Sequence, residues 1–299
     1  AKDLLRRWEN GDEEVIEQWE KLNSWVYRGF SKTYSDLNVK FDSEYFESKT
    51  YLKGKEIVID GLNKNIFKKK EDNSIWIDLT NDGLDEKILL RSDGTSVYIT
   101  QDIGTAFLRY KDHPKMDGMI YTTGNEQDYH FKVLFQVLNK LGYPWADKLS
   151  HLSYGMVDLP SGKMKSREGT VVDADELIEE MNQKAKSISE SLGKVNHLND
   201  SNQLKLFNNI ALGALKYHIL KVDPKKRILF DPNESIDFNG NTGPFIQYTY
   251  ARIQSLLRKN TNKKSFNDIS ISDKERNIII QLNDYPNVLL NAYSNLNPS

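Results

Sequence analysis

Three segments of the sequence place charged and polar residues at spacings that could bind a small charged substrate. The first is the loop of residues 162–170, where Lys163, Lys165 and Arg167 stand between glycines. Cationic groups on a flexible backbone can surround a polyphosphate. The alternative is a solvated basic turn. Because the loop follows a predicted parallel strand, where ligands of open α/β sheets bind, we favour phosphate binding.

The second segment, residues 98–102, pairs a phenol with a carboxylate. Tyr98 and Asp102 are four residues apart, so in a helix they project from the same face. A carboxylate can accept both N–H groups of one edge of a guanidinium, and this pair could therefore hold a cationic ligand. The alternative is that Asp102 is an anion in the first helical turn and Tyr98 belongs to the core.

The third segment, residues 124–130, begins with Gly124 at a predicted strand end and continues into a polar helix start. The N–H groups and dipole of a helix N-terminus favour anions, so a ribose or phosphate would suit this place. Ordinary capping of the following helix is the alternative.

The elements around these segments predict a parallel α/β sheet followed by helices. Residues 119–123, a short apolar run, and 151–157 are predicted strands, with a helix over 126–141 between them and another helix opening at 173–176. Nearer the N-terminus we predict a helix over 12–37, a hairpin over 66–79 and a strand over 88–91. Beyond residue 187 the pattern is helical, with apolar stripes over 207–220 and 245–257.

Composition limits the classes of protein. Hydrophobic residues make up 38% of the chain and charged residues 28%, which is typical of a globular protein. Cysteine is absent, which excludes disulfides and zinc–thiolate sites, and the five histidines include no close pair, so we expect no structural metal. No apolar run is long enough for a membrane span. With a net charge of −2, a nucleic-acid partner would need local basic patches.

Several motifs occur in the order and context of one family. The segments 92–102 (SDGTSVYITQD), 120–130 (IYTTGNEQDYH), 155–157 (GMV) and 163–171 (KMKSREGTV) resemble class I arginyl-tRNA synthetases. The segment 237–252 (DFNGNTGPFIQYTYAR) resembles the opening of that family's anticodon-binding bundle. The resemblance implies the second half of a Rossmann-type class I nucleotide-binding fold, followed by an all-α region that is an incomplete helical bundle.

The resemblance also implies roles for individual residues. It assigns arginine binding to Tyr98, Asp102 and Gln127, and ATP binding to Gly124, Asn125, His130, Met156 and Val157. It places Lys163, Lys165 and Ser166 as catalytic residues in the signature loop that closes over the ATP phosphates. The implied substrates are L-arginine, ATP with Mg²⁺, and tRNA(Arg). For tRNA binding it implies Lys225, Lys226, Arg227, Asn239, Asn241, Thr242, Gln247 and Arg252.

The resemblance further predicts a domain division and a cytoplasmic location. Residues 1–185 would be the C-terminal half of the catalytic domain, 186–240 a connecting region that contacts the tRNA stem, and 241–299 the first part of the bundle.

The chain departs from the class I pattern in two ways. The common loop motif is KMSKS, but here Met164 is followed by Lys165 and Ser166, so either Lys165 replaces the second lysine or no residue does. The HIGH motif is absent, and we therefore expect an excised fragment that is inactive alone and self-associates through an exposed sheet edge. One alternative is a class I synthetase for another amino acid, which Asp102 disfavours. The other is a stand-alone RNA-binding module.

Overall fold

The computed structural model describes residues 2–158, 173–191, 193, 195, 198–259 and 270–299. The chain divides into two compact units. The helical unit comprises residues 1–42, 158–221 and 229–271, and the mixed unit comprises residues 43–157, 222–228 and 272–299.

The mixed unit contains an antiparallel sheet and a parallel strand pair, each next to helices. Its elements are α3 (Glu47–Asn63), β1 (Lys68–Lys69), β2 (Ile75–Ile77), β3 (Lys87–Leu90), α4 (Tyr98–Asp112), β4 (Met119–Gly124), α5 (Asp128–Lys140), β5 (Leu149–Tyr154) and α10 (Asp273–Asn295). The sheet has the order β1-β2-β3, which confirms the predicted hairpin and third strand.

Strands β4 and β5 are parallel, as the sequence predicts, with Met119 opposite Leu149 and Gly124 opposite Tyr154. Helix α5 connects them, and a 3₁₀ turn (Asn125–Gln127) precedes α5. Because parallel strands end at the same edge of a sheet, the residues after Gly124 and those after Tyr154 lie close together. Helix α5 buries Phe131, Leu134 and Leu138.

The predicted strand over 151–157 is interrupted. Strand β5 ends at Tyr154, and a separate short strand, β6 (Val157–Asp158), pairs with β7 (Ile228–Leu229). The interruption coincides with Gly155, whose N–H donates to the carbonyl of Pro224 over 2.7 Å. A Cβ atom at Gly155 would lie 2.1 Å from the carbonyl oxygen of Lys226, so only glycine permits this contact.

The helical unit is built from α1 (Lys2–Glu9), α2 (Glu13–Asp36), α6 (Ala174–Ser191), α7 (Asp200–Leu220), α8 (Pro232–Ser235) and α9 (Gly243–Lys259). Asp12 caps α2 by accepting the N–H of Val15, at the residue where the predicted helix begins. The predicted helix is present, but no residue of α2 is buried. The core of this unit instead lies at α6 and α7, around Met181 and Phe207.

Candidate active site

Helix α4 presents Tyr98 and Asp102, and a turn of fixed geometry sets where the helix begins. Both the N–H and the hydroxyl of Thr95 donate to Oδ1 of Asp93, over 3.0 and 2.7 Å. The hydroxyl of Thr100 accepts the N–H of Val97 over 3.0 Å and donates to the carbonyl of Leu89 on β3. The first turn of α4 is thereby fastened to the antiparallel sheet.

The position of α4 is also fixed by a direct backbone contact with α3. A Cβ atom on Gly54 would lie 1.8 Å from the carbonyl oxygen of Thr100, and one on Gly104 would lie 2.2 Å from the carbonyl oxygen of Thr50. The hydroxyl of Thr105 donates to that of Thr50 over 2.8 Å. Glycine at both positions therefore allows a helix crossing closer than any larger residue would permit.

Asp102 is hydrogen-bonded to His130, on the first turn of α5. Nε2 of His130 lies 2.6 Å from Oδ2 of Asp102, and the two side chains are 25% and 35% exposed. Tyr98, one turn earlier on α4, is 80% exposed. Gln127 is exposed in the 3₁₀ turn before α5. The described hydrogen bonds thus join Asp102 to His130, which the sequence assigns to the ATP pocket, rather than to Gln127.

A buried tyrosine and an arginine lie behind this pair. Burial raises the pKa of Tyr121 to about 12; the positive charge of Arg109 opposes the rise, and the negative charge of Asp102 adds to it. The guanidinium of Arg109 is 5.5 Å from the centre of the Tyr121 ring and 5.4 Å from that of Tyr45. Tyr121 therefore stays protonated at neutral pH.

Two of the residues predicted to bind ATP, Gly124 and Met156, lie close together at the carboxyl end of β4. A Cβ atom on Gly124 would lie 3.8 Å from the Tyr154 ring and 3.9 Å from Sδ of Met156. The carbonyl of Met156 already accepts the N–H of Ile228 over 3.0 Å. Asn125 is exposed next to Gly124, and Val157 is partly buried.

A second histidine connects the same strand end to α5 and β5, and the sequence analysis missed it. Nε2 of His151 lies 2.8 Å from Oγ1 of Thr123, and its Nδ1 lies 3.2 Å from Oδ1 of Asp128. The His151 ring packs 4.5 Å from that of Phe131, centre to centre. In the parallel pairing of β4 and β5, His151 lies opposite Tyr121, which is two residues before Thr123. A predicted register for these two strands could therefore have indicated the contact.

The basic residues predicted to bind tRNA are exposed. Lys225, Lys226 and Arg227 lie in the mixed unit, on the loop that packs against Gly155. The N–H of Lys225 donates to Oδ1 of Asp223 over 2.9 Å, which fixes the turn.

The other residues predicted to bind tRNA lie in the helical unit and divide by environment. Thr242 is only 4% exposed, and its hydroxyl caps α9 through the N–H of Phe245 at 3.3 Å. Asn241 accepts the hydroxyl of Tyr217 over 2.5 Å, and Gln247 donates to the carbonyl of Asn209 over 3.0 Å. Asn239, Asn241, Gln247 and Arg252 are all exposed, so Thr242 alone of these five residues is buried.

The predicted catalytic residues Lys163, Lys165 and Ser166 lie outside the described residues. Within the described part of the chain, no helix has the length and apolarity that crossing a membrane requires. The same residues include no group of three or more acidic or histidine side chains that could hold a metal ion.

Two family models match the chain. The model described as "tRNA synthetases class I (R), catalytic domain" matches residues 1–231, and "DALR anticodon binding domain" matches residues 246–299. The arginine–tRNA ligase of Flavobacterium psychrophilum is 58% identical over 300 residues, covering 100% of this chain and 50% of that protein. The arginine–tRNA ligase of Phocaeicola vulgatus is 55% identical over 305 residues, with the same coverage.

Solved structures agree with these matches. The crystal structure of arginyl-tRNA synthetase from Plasmodium falciparum has a TM-score of 0.78 at 25% identity, covering 99% of this chain and 51% of that one. Arginyl-tRNA synthetase from Thermus thermophilus shows the same fold, with a TM-score of 0.76 at 24% identity, covering 97% and 56%. The expected α/β fold followed by helices is confirmed. The chain spans about half the length of the curated relatives it matches.

Proposed function

This chain belongs to the arginine family of class I tRNA synthetases, and on that basis we propose that it is the second part of an arginine–tRNA ligase. The longer protein would join arginine to ATP as arginyl-adenylate and release pyrophosphate. It would then transfer the arginyl group to the 3′ end of tRNA(Arg) and release AMP. The observation that best supports an arginine substrate is the partly exposed carboxylate of Asp102, on the same helix face as Tyr98.

Arginine binding by this face follows from the chemistry of a guanidinium. Its planar N–H groups match the two oxygens of a carboxylate, and the resulting charge-assisted bonds are short and directional. Asp102 is fixed at one oxygen by His130 and still about one-third exposed, so a cation can reach it. Tyr98 would complete the shell with its phenol, and Gln127 with its amide.

ATP would bind at the carboxyl end of β4, where Gly124 and Met156 adjoin. Asn125 would line the pocket. Because the Met156 carbonyl is engaged by Ile228, the adenine edge would use the N–H of Met156 and the backbone of Val157.

The signature loop would supply Lys163, Lys165 and Ser166 to the phosphates, and Mg²⁺ would enter with ATP, as it commonly does with nucleotide substrates. In the first step the arginine carboxylate attacks the α-phosphorus, and in the second a tRNA hydroxyl attacks the arginyl carbonyl. Both nucleophiles belong to substrates, so the protein contributes by alignment and by stabilising charge.

For tRNA we propose that phosphate contacts come from the exposed Lys225, Lys226 and Arg227 and that the exposed Asn239 and Arg252 contact the nucleic acid directly. The buried Thr242 and the internally bonded Asn241 and Gln247 would act by holding the loop before α9 in place. We also propose that the domains divide at about residues 185 and 240 and that the protein is cytoplasmic. Self-association would occur through the edge of β4.

The decisive experiment compares two aspartate variants of the full-length protein. Asp102→Asn should raise the Michaelis constant for arginine in ATP–pyrophosphate exchange, by an amount equivalent to about 2–4 kcal/mol, the scale of breaking a buried charge pair. Asp117→Asn, at an exposed aspartate just before β4, is the control and should leave it unchanged. An Asp102→Asn enzyme with wild-type arginine dependence would exclude the proposed arginine site.

A second measurement tests the chain by itself. We expect no arginine-dependent exchange from the isolated chain, because nothing we assign to it aligns the α-amino and carboxylate groups of arginine with ATP. Exchange by the isolated chain that disappears in Asp102→Ala would show that the chain is catalytically sufficient. That variant also excludes a contaminating synthetase as the source of the activity.

A further inference from the structure

The hydrogen bond between His130 and Asp102 joins two elements that are distant in sequence. Asp102 lies in the second turn of α4 and His130 in the first turn of α5, 28 residues later, and the two side chains meet at 2.6 Å. This is a short, charge-assisted contact, stronger than a bond between neutral groups.

The His130 ring is held in place by its own surroundings. Its edge packs against Phe131, 5.5 Å away between ring centres and nearly perpendicular. Phe131 is only 6% exposed and in turn packs against Tyr121 at 4.9 Å and His151 at 4.5 Å. The imidazole therefore sits at the rim of a fixed aromatic cluster and offers Asp102 a donor of defined direction.

The contact leaves Asp102 able to bind a cation. An ionised carboxylate has about four lone-pair sites, so Oδ2 can accept from His130 and still accept from a ligand, while Oδ1 supplies the second bond of a bidentate pair. An N–H at Nε2 would donate to Oδ2 and so orient the carboxylate. Both side chains keep a quarter to a third of their surface exposed, so a ligand can approach.

From this geometry we propose that His130 is a positioning residue of the guanidinium subsite: it sets the orientation in which Asp102 receives the substrate cation and does not contact the nucleotide. The inference rests on the proposed arginine-binding role of Asp102. It assigns His130 to the arginine site and not to the ATP site.

The test uses two variants of the full-length protein in ATP–pyrophosphate exchange. His130→Phe keeps a ring of similar size and removes the donor. His130→Gln keeps an N–H at nearly the position of Nε2. Losing a hydrogen bond to a charged group should raise the Michaelis constant for arginine by about 10- to 100-fold in His130→Phe, with the constant for ATP nearly unchanged. His130→Gln should restore arginine binding to within about threefold of wild type.

His113→Phe, at an exposed histidine that ends α4, is the matched control and should change neither constant. A rise in the ATP constant alone in His130→Phe would overturn the proposal and return His130 to the nucleotide pocket. Unchanged constants for both substrates would overturn it as well, and so would a His130→Gln variant as impaired in arginine binding as His130→Phe.

A binding measurement on the wild-type protein covers the case in which His130→Phe does not fold. With ¹⁵N-labelled histidine, the Nε2 resonance of His130 should shift on adding arginine alone and stay in place on adding ATP alone. A response to ATP only, or to neither substrate, would refute the proposal. If the wild-type protein shows no arginine-dependent exchange and binds no arginine, the proposed function itself fails. A normal wild type together with an unaffected His130→Phe variant would instead overturn only the role proposed for His130.

Discussion

Replacing Gly104 by alanine inserts a methyl group into the contact between α3 and α4. The new Cβ atom would lie 2.2 Å from the carbonyl oxygen of Thr50, 2.6 Å from the N of Gly54 and 3.1 Å from its Cα. All three are backbone atoms, so no side chain can rotate away to relieve the clash. The two helices would have to separate by about 1 Å to reach ordinary contact distance.

Two opposing effects set the size of the change. Alanine favours the helix over glycine by up to about 1 kcal/mol, whereas overpacking a close contact costs about 1–3 kcal/mol, towards the upper end where only backbone can yield. We expect a net loss of about 2 kcal/mol in the free energy of unfolding. Because α4 carries Tyr98 and Asp102, its displacement should also weaken arginine binding in the full-length protein.

Gly29→Ala is the matched control. Gly29 lies inside α2, and apart from the nearby backbone of its own helix no heavy atom would lie within 4 Å of its Cβ, so only the propensity effect remains. Alanine there should stabilise α2 by about 0.5–1 kcal/mol.

Hydrogen exchange measured by mass spectrometry resolves the two helices separately. Peptides from α4 should exchange about 30-fold faster in Gly104→Ala, the equivalent of about 2 kcal/mol, whereas peptides from α2 should exchange more slowly in Gly29→Ala. If α4 is equally or better protected in Gly104→Ala, the helices do not touch through their backbones, and the packing argument fails.

Two further predictions concern pH and RNA. Because burial raises the pKa of Tyr121 from about 10 to about 12, its contribution to stability should be complete below pH 10 and decline as pH rises towards 12. Between pH 8 and pH 11, wild type should therefore lose about 1 kcal/mol of unfolding free energy more than Tyr121→Phe, and equal losses in denaturant titrations would contradict this. Reversing the charges of Lys225 and Lys226 to glutamate in the full-length protein should weaken tRNA binding and reduce the logarithmic salt slope by about two. Unchanged tRNA affinity and an unchanged salt slope would mean that the loop with Lys225 and Lys226 is only a solvated surface.

The sequence by itself determined the features that depend on near neighbours along the chain. The spacing of Tyr98 and Asp102 puts both on one face of a helix because the helical repeat is local. The helix 12–37, the hairpin and the parallel order around α5 follow from local periodicity and turn residues, and the structure confirms each of them.

Only the tertiary structure decided which side chains meet. The contact of His130 with Asp102 and that of His151 with Thr123 each join residues 28 positions apart, and no local pattern specifies such a pair. Likewise, the need for glycine at position 104 appears only when α3 lies against it, since the sequence of one helix does not specify which helix packs against it. Distances of this kind are set by how elements pack, and packing depends on side chains from the whole unit at once.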